Sequence, residues 1–253
     1  MNLTYAAIEL RRVARDYVSM FFVAVLPAFM YLIFGVSMDY GDQAVGNGNA
    51  ALYTMIAMAA FGAVTATTGI GGMAAVERMQ GWGRQLGLTP MSDREYVTIK
   101  AFVAFLIALV PVALIYLLGS VTGAEGSAAA WLLSGLVVIG GAAVFALYGL
   151  AAGLLFRTEA AIGAASGSLV ILAFLGSVFF PLSGGMLTLA KFTPLYGYVA
   201  LARYPLTEGE IVSTTGAAAG TDPLWIPLAN LLAWGTVFGA GAVLLVRRGR
   251  GRQ

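Results

Sequence analysis

The sequence has no cysteine and no histidine. Without cysteine there is no disulfide framework, no thiolate metal site and no dithiol redox motif. Without histidine, Ser-His-Asp and Cys-His catalysis and His-ligated metal sites are excluded together. Charge is scarce too. Asp, Glu, Lys and Arg make up 10% of the 253 residues, against about 25% in an ordinary soluble domain. Acidic residues are absent from the middle of every long apolar run, which argues against a proton-coupled pump, since such pumps need intramembrane carboxylates. No Lys-Ser or Lys-Thr follows "GIGG" at Gly69 to Gly72, so this is no P-loop, and helix packing is the better reading.

Apolar residues are abundant. They form 60% of the chain, and the mean hydropathy is +0.87. A soluble fold of this size would need far more polar surface, so the solvent for most of the chain is lipid. Six apolar runs are each long enough to cross a hydrocarbon core of roughly 30 Å: Val18 to Met38, Ala51 to Val76, Thr98 to Ser120, Ala129 to Phe156, Ala160 to Phe180 and Leu224 to Val246. The expected fold is an all-α integral membrane protein with six spans, one transmembrane domain over residues 1–253. The fifth run is rich in Gly, Ala and Ser, a composition that packs against protein rather than lipid. Arg11, Arg12 and Arg15 precede a run too long for a signal-peptide core, so no cleavable leader is expected.

With six spans both termini share a side. That side holds Arg11, Arg12, Arg15, Arg78, Arg84, Arg94, Lys100, Arg157, Arg247, Arg248, Arg250 and Arg252, leaving only Lys191 and Arg203 for the other. The asymmetry predicts cytoplasmic termini. In residues 1–17, Leu3, Ala7, Leu10, Ala14 and Tyr17 recur on one helical face and Glu9, Arg12 and Asp16 on the opposite one, which predicts an amphipathic helix lying in the interface. Residues 181–223 are too apolar for an open loop, yet Pro181, Gly184, Gly185, Pro194 and Pro205 interrupt them. Short re-entrant or interfacial helices are expected there, with Tyr196, Tyr198 and Tyr204 as an aromatic belt. "STTGAAAGTDP" reads as a polar loop.

The stretch "ERMQGWGRQLGLTPMSDREYVTIK", Glu77 to Lys100, stands out by carrying seven charges between two apolar runs. Placing them in a bilayer would cost on the order of 20 kcal/mol, so residues 77–97 form a cytoplasmic loop. Met79, Trp82 and Leu86 make a short apolar stripe, Gly87 and Pro90 end it, and Ser92 with Glu95 has capping-box spacing. Glu77 with Arg78, and Arg157 with Glu159, are candidate local ion pairs. GxxxG spacings occur at Gly149/Gly153, Gly163/Gly167 and Gly235/Gly239.

This loop resembles the first cytoplasmic loop of type-two ABC exporter permeases, as found in drug and antibiotic exporters. The match rests on Glu77, Arg78, Gly81, Trp82, Arg84, Gln85, Leu86, Thr89, Pro90, Tyr96 and Lys100, with Gly83 a departure where a larger apolar residue is common. The resemblance implies a coupling helix, formed by these residues from Glu77 to Pro90, that docks on a separate ATPase subunit. Two ATPase copies would carry ATP and magnesium, so this chain would bind neither and would not itself be an enzyme. It further implies a second permease copy, identical or related, with a dimer seam along spans one and five; Gly163 and Gly167 are the candidates there. The expected setting is a multi-pass place in the cell membrane, among lipids and away from nucleic acid. Phe22, Phe29, Thr54, Met58, Thr65 and Phe174 are candidates for the path of a hydrophobic or amphiphilic cargo. The alternatives are an ATP-independent six-span transporter or channel, which predicts polar groups along a mid-membrane path, and an intramembrane enzyme, which predicts facing carboxylates.

Overall fold

The computed structural model describes residues 3–37, 40–81, 93–156, 159–212 and 218–250. Helix dominates them. Helix α1 is Leu3–Ala14, α2 is Tyr17–Val36, α3 is Ala50–Met79 and α4 is Asp93–Val121. A one-residue turn at Ala142 divides the next long helix into α5, Ala128–Gly141, and α6, Ala143–Phe156. They are followed by α7, Glu159–Leu175, the short α8, Gly184–Ala190, then α9, Pro194–Thr207, and α10, Trp225–Arg250. Two antiparallel ladders complete the described residues: β1 (Ala44–Val45) with β2 (Gly48–Asn49), and β3 (Glu210–Val212) with β4 (Ala218–Thr221). The last strand takes up part of the stretch read from sequence as a polar loop.

Among the described residues, five helices are long and apolar enough to cross a membrane: Tyr17–Val36, Ala50–Glu77, Glu95–Val121, Ala128–Phe156 and Trp225–Arg247. They coincide with five of the six predicted runs. The remaining one forms α7, which at 17 residues is shorter.

Helix α3 is the axis of the bundle. Its most apolar window is 83% buried, against 17% for α10 and 28% for α2. Composition explains this. Thirteen of its 30 residues are Ala or Gly, so neighbouring backbones approach closely. A Cβ on Gly71 would stand 2.1 Å from the Ala146 carbonyl oxygen, and one on Gly149 would stand 2.0 Å from that of Thr68. The "GIGG" turn and the Gly149/Gly153 pair thus meet in one backbone-to-backbone seam between α3 and α6. Gly163 and Gly167 face open space instead.

Capping fixes where the helices start. The Asn49 side chain accepts from the Leu52 amide at 3.0 Å and donates to the Gly123 carbonyl at 2.7 Å, tying the start of α3 to the end of α4. Ser127 caps α5 through the Ala130 amide, and Thr193 caps α9 with Pro194 in its first turn. In α2, Pro27 has no N–H to give Val23, and the chain answers with a wide π turn over Phe21–Val25.

Residues 181–223 do form short helices, as expected, but the aromatic belt is corrected. Tyr198 is fully buried and donates to the Val138 carbonyl at 2.6 Å, while Tyr196 is buried beside Asp222. A phenol inside a protein core takes the nearest acceptor rather than a headgroup.

Candidate functional site: a charged clamp beside a cavity

The end of α3, the start of α4 and the middle of α1 converge on four charged side chains. Lys100 Nζ lies 2.6 Å from Glu77 Oε2 and also pairs with Glu9. Arg12 Nη2 lies 2.7 Å from Glu9 Oε1 and also pairs with Glu77. Tyr96 donates to Glu77 Oε2 at 2.8 Å, and Arg12 touches Met73 Sδ at 3.2 Å. Glu9, Glu77 and Lys100 expose only 6–7% of their side chains, whereas Arg12 exposes 43%.

Two anions and two cations share this pocket, so its formal charge is zero. That balance is what permits burial, because an unpaired ion removed from water is costly. The neighbours register the field. Burial, and then the negative charge of Glu9 and Glu77, pushes the Tyr5 phenol up to about 12. Burial works to lower the Arg12 guanidinium, but Glu77 and Glu9 outweigh it and raise it overall.

The clamp changes how α1 is understood. Of the face opposite the apolar stripe, Glu9 is buried with Ala6 and half-exposed Arg12 reaches in to pair with it, while Asp16 stays exposed, as do Leu3 and Tyr17 of the apolar stripe. Glu77 finds its partners 65 residues back and 23 residues on, in Arg12 and Lys100. The side chains of Arg78, Arg157 and Glu159 lie outside the described residues.

Glu77 and Lys100 stand on either side of the charged loop, so the clamp fixes where that loop leaves and rejoins the bundle. Gly81, at φ +88°, takes the left-handed conformation just past the end of α3 that favours glycine. Trp82, Arg84, Gln85, Leu86, Thr89 and Pro90 lie outside the described residues, as does Ser92.

A cavity of about 730 Å³ opens beside the clamp. Arg12, Asp16, Glu77 and Gln80 contribute charge and polarity to its lining; Phe22, Val23, Ile70 and Ile107 contribute apolar surface. Three of the cargo-path and seam candidates meet here: Phe22, Thr65 and Gly163. The others are dispersed. Thr54 lines a separate cavity of about 450 Å³ near the start of α3. Met58 is sealed in the core. Phe29 lies on the exposed face of α2, and Phe174 is half exposed against Phe179 and Phe180, with ring centroids 4.8 and 5.8 Å away. Gly167 is exposed without lining the 730 Å³ cavity. The Thr54 and Thr65 hydroxyls donate to their own i−4 carbonyls, at 3.0 and 2.8 Å, which suits a threonine inside an apolar helix.

No protein-family model matches the chain. It is 25% identical over 236 residues to the protein named "Putative transport permease YvfS" of Bacillus subtilis (strain 168), a match taking in 91% of this chain and 90% of that one. The likeness runs along nearly the whole of both chains rather than one segment. Together with the apolar helices, it supports a membrane transport permease.

Proposed function

We propose that the chain is the membrane-spanning subunit of an ATP-driven exporter that moves a hydrophobic or amphiphilic cargo out of the cytoplasm. The observation that carries this reading is the clamp: a charged loop held at both ends by buried, mutually neutralising side chains, next to a large cavity. In this reading the segment containing Trp82 and Leu86 docks on a separate ATPase subunit, which supplies ATP and magnesium. Two such ATPases join two permease units, either two copies of this chain or this chain and a related one, with the open Gly163/Gly167 face of α7 at the seam. Both termini lie in the cytoplasm of a plasma-membrane protein, in keeping with the basic residues gathered on that side.

The clamp gives the stroke a path. ATP binding closes the ATPase pair and pushes on the loop. Because Glu77 and Lys100 hold the loop's two ends to each other and to α1, the push reaches α1, α3 and α4 as one body. The cavity then changes its access from the inner to the outer side. Coupling requires ATP and cargo each to bind the two states unequally.

The test is a double variant, Trp82→Asp with Leu86→Asp. It is expected to insert and fold but to lose co-purification with the ATPase subunit and all cargo-stimulated ATP hydrolysis. Normal assembly and transport in that variant would overturn the docking role. If the unaltered chain captured no ATPase from its native membrane, the ATP-independent transporter would take its place.

A further inference from the structure

At the end of the bundle away from the clamp, α9 buries a second basic side chain. Arg203 is 5% exposed. Its guanidinium carbon lies over the Tyr53 ring, 3.6 Å from the centroid. Nη1 donates to the Ser177 carbonyl at 2.8 Å, Nη2 to that of Val178 at 3.4 Å and Nε to that of Tyr53 at 3.3 Å. No carboxylate among the described residues pairs with it. Asp222, the buried acid on that side, is committed to Lys191 at 2.6 Å and to the Tyr196 hydroxyl at 3.2 Å.

Carbonyl oxygens can be satisfied by any neutral donor. A guanidinium satisfies them and leaves a full positive charge out of water with no counter-ion, an expensive arrangement for a purely structural staple. Three of its five N–H groups are engaged, and each terminal nitrogen retains one more. Stacking and hydrogen bonds hold the plane in one orientation, so it is preorganised to receive a ligand.

Arg203 also lines the cavity of about 450 Å³, whose walls include Tyr40, Tyr53, Thr54, Phe179 and Phe180. Glu210 lines it as well, but its side chain is exposed, where water and salt screen it. Polar groups, Gln43 and Thr54 among them, share the walls with the aromatic and aliphatic side chains; a tail-sized apolar surface beside one buried, charge-bearing hydrogen-bond donor suits an amphiphile with an anionic end.

We infer that this cavity binds the anionic group of an amphiphile, a carboxylate or phosphate on an apolar tail, through Arg203. The anion supplies the counter-charge that the described residues lack, and Tyr40, Phe179 and Phe180 take the tail. The group belongs either to a transported molecule or to a membrane lipid. Only the first assignment rests on the exporter reading; the site itself does not.

The experiment uses the full chain in phosphatidylcholine nanodiscs, with dansyl-labelled undecanoate and its methyl ester as fluorescent probes and empty discs as the blank. The acid is expected to bind about tenfold more tightly than the ester, as one charged hydrogen-bond partner provides. That preference should vanish in Arg203→Gln. Ala44→Trp, which fills the cavity from β1 without touching Arg203, should weaken both probes. Displacement of the acid when phosphatidylglycerol replaces part of the phosphatidylcholine assigns the site to a lipid headgroup, and resistance assigns it to a free amphiphile. Equal binding of acid and ester, or a preference that survives Arg203→Gln, overturns the inference. If Arg203→Gln does not insert, undiminished acid binding by Ala44→Trp overturns it. A chain that binds the acid yet captures no ATPase would refute the exporter reading and leave the site intact.

Discussion

The bundle buries charge at both ends, and it does so in two different ways. Beside α1, four ions neutralise one another, and three of them are almost completely buried. On α9, a single guanidinium sits among carbonyls and one aromatic ring. The first is closed: every charge has its opposite inside the molecule. The second is open, with its hydrogen-bond geometry largely satisfied and its charge not. A closed cluster joins pieces of the chain, while an open one is available to something from outside.

The largest expected effect breaks the closed end. Lys100→Met leaves Glu9 and Glu77 buried with only half-exposed Arg12 to serve both, and should cost about 3–5 kcal/mol of stability. Thermal unfolding in detergent measures it. Adding Glu9→Leu should recover much of the loss, since a neutral pair suits a buried site better than a lone ion. A loss below about 1 kcal/mol for the single variant would show that water reaches the clamp.

A smaller effect is expected at the open end. Arg203→Met keeps the stacking volume but strands the Ser177 and Val178 carbonyls, which should cost about 2 kcal/mol. Arg203→Gln restores a donor and should recover part of that. If the two variants unfolded alike, the carbonyl bonds would count for little, and the difference between the two ends would rest on charge alone.

The smallest effect is a surface control. Asp16 caps the start of α2, accepting from the Ser19 amide at 3.1 Å and from the Ser19 hydroxyl. Those bonds hold its carboxyl below the usual value. The unfolded group titrates near 3.9, so the capping contribution is complete above about pH 4 and fades as pH falls through the lower folded value. Asp16→Ala should cost about 1 kcal/mol at pH 7, and the gap between variant and wild type should close in acid. A gap independent of pH would mean that the carboxylate does not make the cap.

How legible all this was in the sequence depended on the distance involved. The apolar runs translate directly into helices because hydropathy is a local property, and five of them are long enough to span. Capping residues such as Asn49, Ser127 and Thr193 act within a turn, though their use as caps emerged only with the fold. The clamp was hidden. Its partners lie 65 and 91 residues apart along the chain, and a polar stripe on α1 looks the same whether it faces water or another helix. Arg203 was legible only as a rare basic residue on its side. The glycine signal was legible but divided: the fifth run was read as the protein-packed one, whereas within this chain the second run is the buried axis, and Gly163 and Gly167 of the fifth face outward while Gly176 is packed against α9.

The seam between α3 and α6 has a consequence for how such a chain drifts over generations. Where one backbone rests directly on another, no side chain stands between them to repack, so a substitution at Gly71 or Gly149 has no small compensating partner. In a saturation mutagenesis screen these positions should tolerate almost nothing, while the outward face of α10 accepts most apolar residues. Relatives that diverge almost everywhere else would still register against one another along this line.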